Sequence, residues 1–353
     1  MALIISLKQN HVFEKTKLCQ HDVLHDKQFT DSEQFIKKAK YLERLKTDVT
    51  FPQSFYEYGK YILLLKNEMV CLDSNDKLLF HSFQEVSTWT GNSRSVLLDV
   101  LPEANVFICL FALNLEISNV QYTQKIEHAI NGRLVNIRES LFFLDAKDAQ
   151  YVTHARGLFN FCKTFLFCNY CAGTLSVNAA GTRKQCMGCN TIHYPTLSPV
   201  GLTLIEDNNH EEVLLVRQER HPKGLYTCVA GFIEPGESVE ENVRREVAEE
   251  VGLHVVKVEF CTSQHWALPA SQLTLGCIAT VVDKDVDVDS NEIENAKWVN
   301  ADNLKDAVIR TRKLKKLTDI VEDKLWAPPQ NAVSHNLMLA WLKRYHNFDC
   351  TSS

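Results

Sequence analysis

The 353-residue chain has no apolar run approaching the ~18–20 residues of a membrane-spanning helix. Its best candidate, VFICLFAL at residues 106–113, has the length and the β-branched and aromatic content of a buried strand. No membrane partner is therefore expected. An excess of positive charge is also missing: 38 Lys and Arg stand against 44 Asp and Glu, a formal net charge of −6. That argues against a strongly basic nucleic-acid surface, though not against an RNA with a special end group as substrate. The first 18 residues are apolar for only six and lack a signal-peptide core; they are not Arg-rich and carry Glu14. The terminal Thr-Ser-Ser is not the usual peroxisomal tripeptide. The reading is an intracellular, cytoplasmic protein, with a mitochondrial one left open. Repeats and low-complexity segments are absent too.

What remains is a globular composition, 45% hydrophobic and 23% charged, in a chain long enough for two or three domains. Residues 1–160 mix short strands and helices. Strands are expected at 61–65 (YILLL), 69–72, 77–83 (KLLFHSF) and 106–115, helical patterning over 126–146, and a helix over 145–164. This half carries no catalytic motif and reads as an α/β domain. Residues 161–197 change character, with cysteines, Gly, Asn and Tyr and little helical periodicity. From 198 to 345 a strand-rich and then helical pattern forms the third domain, followed by a tail at 346–353. Its first two strands, VGLTLIED and EEVLLVRQE, are separated by Asn208-Asn209, a hairpin signal.

Without a secretion signal, twelve cysteines favour metal binding over a disulfide framework. Four of them form two CxxC pairs, Cys168/Cys171 and Cys186/Cys189, fourteen residues apart. Each CxxC turn brings two thiolates toward one cation, and two turns complete a tetrahedral S₄ site for Zn²⁺. Four protein ligands leave no position for a reacting water, so the expected site is structural, one zinc per subunit, at the junction of the two halves.

The segment at residues 231–253, GFIEPGESVEENVRREVAEEVGL, reads as a loop and a helix. Ser238 and Glu241 form a capping-box signature, Gly252 suits the stop, and Val239, Val243, Val247 and Val251 form an apolar stripe. Glu246, Glu249 and Glu250 fall within an arc of roughly 100°. Most glutamate triplets are solvated faces. Here Glu246 and Glu250 repel at i,i+4, and all three sit near the helix C-terminus, where the macrodipole disfavours anions. Such gathered oxygens suit Mg²⁺ or Mn²⁺, hard cations that also bridge phosphates.

The same segment resembles the Nudix box, Gly-x₅-Glu-x₇-Arg-Glu-aliphatic-x-Glu-Glu-x-Gly-aliphatic. Every fixed position is present: Gly231, Glu237, Arg245, Glu246, Val247, Glu249, Glu250, Gly252 and Leu253. The resemblance implies a loop-helix that binds divalent cations for hydrolysis of a nucleoside diphosphate linked to another moiety. Glu246, Glu249 and Glu250 are then metal ligands, and Glu237 and Arg245 pair to brace the loop. It also implies an N-terminal α/β domain, a zinc ribbon and an α/β/α sandwich with a mixed sheet.

A zinc ribbon ahead of the box is similar to the NADH pyrophosphatase branch, whose members also hydrolyse NAD caps on RNA. That branch carries Ser-Gln-Pro-Trp-x-x-Pro-x-Ser, and here residues 263–271 read SQHWALPAS, keeping Ser263, Gln264, Trp266, Pro269 and Ser271. HYPTLSP keeps Tyr194, Pro195 and Pro199 of Tyr-Pro-Arg-x-x-Pro. The implied substrate residues are Tyr194, Gln264, His265, Trp266, Ala267, Leu268, Pro269, Ala270, Ser271 and Ser334. The implied further metal contacts are Glu292, with Glu294 competing, and the backbone of Ala230. Aromatic faces at Trp266 and Tyr194 can stack on nicotinamide or adenine. The departures are His265 for Pro, Ala267-Leu268 for Pro-Phe, and Thr196 for Arg; they bear on nicotinamide preference more than on pyrophosphate chemistry. The expected substrates are NAD(H) and NAD-capped RNA, and the resemblance alone implies a homodimer. Two other readings stand beside this one: a Nudix hydrolase of another dinucleotide (ADP-ribose, a diadenosine compound or a coenzyme A derivative), and a catalytically silent nucleotide-binding Nudix protein.

Overall fold

The structure, a computed structural model, describes residues 32–47, 53–92, 94–103, 106–116, 120–314 and 317–348. The N-terminal stretch read above for a targeting signal lies outside the described residues, as do positions 349–353 with the terminal tripeptide. Among the described residues no helix is long and apolar enough to cross a membrane.

The first half contains helices α1 (Ser32–Thr47) and α2 (Gln53–Glu57), strands β1 (Lys60–Leu65), β2 (Met69–Leu72) and β3 (His81–Ser82), and helix α3 (Phe83–Val86). Strands β4 (Arg94–Glu103) and β5 (Val106–Leu115), helix α4 (Val120–Ala129), strand β6 (Arg133–Asn136) and helices α5 (Ile137–Ser140) and α6 (Ala146–Thr164) follow. The sheet runs β4-β5-β1-β2-β6 with β3 on the side of β1, and β1 pairs parallel to β5. Strand period 2 explains its two-sided burial. Ile62 and Leu64 point into a core with Val152, Ala155 and Leu158 of α6, while Tyr61, Leu63 and Leu65 face Leu45 of α1 and Ile126 of α4. The result is a helix–sheet–helix layering.

Two local expectations are corrected. The strand expected over 77–83 shrinks to His81–Ser82, because the Ser82 hydroxyl accepts from the N–H of Glu85 and caps α3 in a complete capping box. The helical patterning expected over 126–146 is broken by β6, because Asn131 takes a left-handed conformation (φ 48°) and ends α4. Helix α6 begins where Asp145 caps it, accepting from the Asp148 N–H.

A small sheet, β7 (Leu175–Val177), β8 (Lys184–Cys186) and β9 (Ile192–His193), follows. The last part holds β10 (Ser198–Asp207), β11 (Glu212–Arg217), β12 (Val229–Phe232), α7 (Val239–Val251), β13 (Val255–Trp266), β14 (Gln272–Val281), β15 (Asn295–Asn300), α8 (Ala301–Arg312) and α9 (Val333–His346). Its mixed sheet runs β13-β14-β10-β11-β15, with β12 added to β10 and β10 parallel to β14. The hairpin expected at Asn208-Asn209 forms between β10 and β11, and Asp207 accepts from the N–H groups of Glu211 and Glu212 across the turn. Leu204, Val213 and Leu215 face α8 and α9, whereas Ile205, Leu214 and Val216 face Val243, Val247 and Val251 of α7. This is the expected α/β/α sandwich, and it sets α7 on one face with its glutamates at the edge of the sheet.

Candidate active site

Sequence and local physics place α7 firmly. Its N-cap Ser238 accepts from the Glu241 N–H while the Glu241 carboxylate accepts from the Ser238 N–H at 2.7 Å. Gly252 closes it in the left-handed region (φ 69°). The stripe Val243, Val247 and Val251 is fully buried, so the glutamates on the neighbouring arc are held at the rim of the core.

Arg245 organises the loop before the helix. Its guanidinium grips Glu237 with two bonds, Nε to Oε1 at 2.6 Å and Nη2 to Oε2 at 3.0 Å, and Nη2 also donates to the Phe232 carbonyl at 2.9 Å. Nη1 reaches both Glu246 Oε1 and Glu249 Oε2 at 2.8 Å. Arg245 holds the Glu237 carboxyl down at about 2, and the Glu234 N–H donates to that carboxylate as well. Glu250 is the opposite case. It is 2% exposed, its Oε2 has no hydrogen-bond partner, and burial followed by repulsion from Glu246 and Glu292 pushes its carboxyl up to about 8. Burial also pushes Glu246 up, against the pull of Arg245. Arg220, on the exposed loop after β11, faces Glu250 and opposes the rise.

Glu292 reaches this corner because its loop is tied to the C-terminus of α7. The N–H groups of Asp287 and Asp289 donate to the carbonyls of Val251 and Glu250 at 3.1 Å each, and Glu292 N–H closes the turn on Asp289. The competing Glu294 is committed elsewhere, paired with the buried Arg217. Gly231 is required by contact: a Cβ there would lie 1.8 Å from the Glu246 carboxyl carbon. Ala230 sits beside it on β12, paired with Leu202 of β10.

These residues fit a hard divalent cation: Glu250 has an orphaned buried oxygen, Glu246 beside it is likewise pushed up by burial, and Gly231 leaves room for the Glu246 carboxylate. Glu246, Glu249 and Glu250 do not bring ligand atoms within 4.8 Å of one another, and Arg245 Nη1 is bonded to two of them. Among the described residues, the one set of three or more potential ligands within 4.8 Å of one another is Cys168, Cys171, Cys186 and Cys189. There the N–H groups of Tyr170, Gly188 and Cys189 point at sulfur, at 3.4, 3.3 and 3.4 Å, which favours thiolates. The Thr191 hydroxyl and N–H pull the Cys189 thiol down to about 6. Donor type and convergence fit a tetrahedral thiophilic ion.

The expected substrate residues divide between two places. Ser263 to Trp266 end β13, and Gln264 donates to the Asn331 carbonyl at 2.7 Å. Ala267 and Leu268 are buried: the Ala267 carbonyl accepts from Arg156 Nε at 3.1 Å, and Leu268 belongs to the core under α6, with Trp266 packed against it. His265 and Ser271 lie against α6, where a Cβ at Gly157 would come within 3.0 and 3.1 Å of them. Pro269 and Ala270 are exposed in the turn before β14. Ser334 is buried in the first turn of α9, and Tyr194 is 60% exposed beyond β9.

Two residues passed over in the sequence frame the loop. Asn242, fully buried, donates to the Phe232 carbonyl at 2.8 Å, and Phe232 itself is an aromatic ring 58% exposed beside Gly231. No periodicity marks either one; the signal available was a large apolar side chain inside a polar, glycine-bounded loop.

The NUDIX domain family model matches residues 197–318. The chain is 31% identical over 328 residues to human NAD(P)H pyrophosphatase NUDT13, mitochondrial, spanning 88% of this chain and 92% of that one. It is 28% identical over 335 residues to the NAD-capped RNA hydrolase ndx-9 of Caenorhabditis elegans, spanning 87% and 90%. Human NAD-capped RNA hydrolase NUDT12 is 32% identical over 212 residues, 58% of this chain and 44% of that one. The box, the paired CxxC turns and a match along nearly the whole chain lead to one assignment: the chain belongs to the Nudix hydrolase family and, within it, to the NADH pyrophosphatase branch.

Proposed function

We propose that the protein hydrolyses the pyrophosphate bridge of NAD(H), giving AMP and nicotinamide mononucleotide, and removes NAD caps from RNA. The observation that carries this reading is Glu250, a buried carboxylate with an orphaned oxygen beside Glu246 and Glu292, in a chain whose relatives are named for that chemistry. Glu246, Glu249, Glu250, Glu292 and the Ala230 carbonyl would hold Mg²⁺ or Mn²⁺. A bound cation of this kind neutralises phosphate oxygens and lowers the pKa of water. Glu249, the most exposed of the three helix glutamates, takes a proton from the attacking water, whose oxygen bonds to phosphorus as the bridging P–O bond breaks. Arg245 and Glu237 touch no reacting atom; they position Glu246 and Glu249. Trp266 and Tyr194 present rings to the bases, and Gln264, His265, Pro269, Ala270, Ser271 and Ser334 shape the surroundings.

The four cysteines hold one structural Zn²⁺ per subunit, and the active unit is a homodimer. The chain divides into an α/β domain at 1–160, a ribbon at 161–197, a Nudix domain at 198–345 and a tail. The compartment is intracellular; the human and mouse NUDT13 relatives are named mitochondrial. A second reading, hydrolysis of another dinucleotide such as ADP-ribose, is favoured by the burial of Ala267 and Leu268, which spends their side chains on packing. A panel of NADH, NAD, ADP-ribose and NAD-capped RNA, read by product mass, tests both. AMP and nicotinamide mononucleotide formed fastest from NADH support the first reading, and faster turnover of ADP-ribose overturns it.

A further inference from the structure

His193 stands directly before Tyr194 in HYPTLSP and belongs to none of the groups placed at the glutamate site. It ends β9 and is 7% exposed, its ring set between Phe165 and Tyr170 at centroid distances of 5.3 and 6.0 Å. Its Nε2 lies 3.3 Å from Cys168 Sγ. Backbone register fixes that approach. His193 pairs with Lys184 of β8, and Lys184 Nζ donates to the Cys162 carbonyl at 2.9 Å and to the Phe165 carbonyl, which holds the end of α6 and, with it, Phe165. The loop between β7 and β8 is tied to the first half as well. Arg183 Nη2 donates to the Thr47 carbonyl of α1 at 3.0 Å, and the Leu97 N–H of β4 donates to the Ala180 carbonyl at 2.8 Å.

The two CxxC turns do not serve their sulfurs alike. Cys168 and Cys186 are buried, whereas Cys171 and Cys189 are exposed. Four thiolates around one divalent cation carry an excess of negative charge, and the two buried sulfurs are shut off from water, so they depend on N–H donors. Cys186 has two from its own turn, the Gly188 and Cys189 N–H groups at 3.3 and 3.4 Å. The first turn supplies Cys168 with one, the Tyr170 N–H at 3.4 Å. His193 stands where the second is missing. It is not one of the four mutually close ligand residues. We propose that His193 is a positioning residue of the metal site: its Nε2–H donates to the Cys168 thiolate and, from outside the four ligands, sets how tightly the ribbon holds its cation. A ligating thiolate has no proton to give, so the hydrogen of this bond sits on Nε2. A donor behind a ligand atom orients it and offsets its charge. The inference rests on the proposed four-cysteine zinc site.

The test uses the full-length protein loaded with Zn²⁺, or with Co²⁺ as a spectroscopic probe. In the zinc-loaded wild type, NMR shifts of the His193 ring nitrogens should show Nε2 protonated; an unprotonated Nε2 overturns the proposal without recourse to a variant. His193→Phe keeps a ring between Phe165 and Tyr170 but loses the donor, and His193→Gln keeps an N–H. In the Phe variant, zinc affinity measured by competition with a chelator should fall about tenfold or more. Its sulfur-to-cobalt charge-transfer band should move to longer wavelength, because a thiolate relieved of a hydrogen bond gives up an electron more easily. His193→Gln should recover most of both. A Phe variant with wild-type affinity and spectrum overturns the proposal, since ring packing then suffices; so does an equal shift in both variants, which the amide N–H would have prevented in one. A wild type that binds no Co²⁺ through sulfur overturns the four-cysteine site itself, an outcome distinct from normal wild-type binding with unaffected variants, which removes His193 alone.

Discussion

Glu250 concentrates the electrostatics of this protein. Its folded pKa of about 8 exceeds the ordinary 4.5 of a glutamate, so the folded chain keeps a proton that the unfolded chain has released. Stability of the cation-free protein therefore falls as pH rises through that window, from about 4.5 to about 8, and levels off above it. Urea midpoints taken in divalent-free buffer at about pH 5 and about pH 9 should show the loss. Added Mg²⁺ should reduce it, and Glu250→Gln should flatten it; an unchanged slope in that variant would remove Glu250 as its source. Glu237 has the opposite sign. Held at about 2 by Arg245, it contributes stability above its ordinary 4.5 that disappears as pH falls toward 2. For catalysis, Glu249→Gln and Glu250→Gln should each lower kcat by about 100-fold or more while the melting temperature stays within a few degrees. Normal turnover in correctly folded variants would sink the assignment. Arg245→Lys keeps the charge but loses the two-pronged grip on Glu237, so kcat should fall with little change in KM.

The box helix obeys its local signals throughout. Ser238→Ala removes one cap bond and should cost about 1 kcal/mol in chemical denaturation, with kcat changed only a few-fold because the glutamates sit at the other end. Val247→Ala, on the buried stripe, should cost about 2 kcal/mol from two lost methyl groups and the void they leave. These elements were legible in the sequence because each bound depends on neighbours within four residues: cap, stripe and left-handed stop. Strand β6 was not, since a four-residue strand between two short helices has too few residues to show a period. The end of KLLFHSF was lost to a capping serine whose role depends on the bond it makes with Glu85.

Across the whole molecule, the two halves are joined through the SQHWALPAS turn and the ribbon. Leu268 fills the first-half core, Phe142 packs with Leu225 and Trp326, and Asn331 donates to the Leu141 and Leu144 carbonyls. The ribbon loop is docked on α1 and β4 in the same way. Cys186→Ser should drop bound zinc from about one per chain toward zero, measured by elemental analysis, and should lower the melting temperature by several degrees. Full zinc content in that variant would argue against a four-sulfur site.

The sequence by itself picked out the two candidate sites, the paired CxxC turns and the glutamate helix, because ligand spacing and helical arc are properties of short segments. It also marked Glu292 but could not separate it from Glu294, a choice made by Arg217 arriving from another strand. Only the tertiary structure decided that Ala267 and Leu268 are packing residues, that Arg245 bonds Glu246 and Glu249 while a Glu250 oxygen stays without a partner, and that Tyr194 lines a cavity with Lys46 and Arg183. Burial, desolvation and long-range pairing depend on groups distant in the chain, and no local pattern carries them.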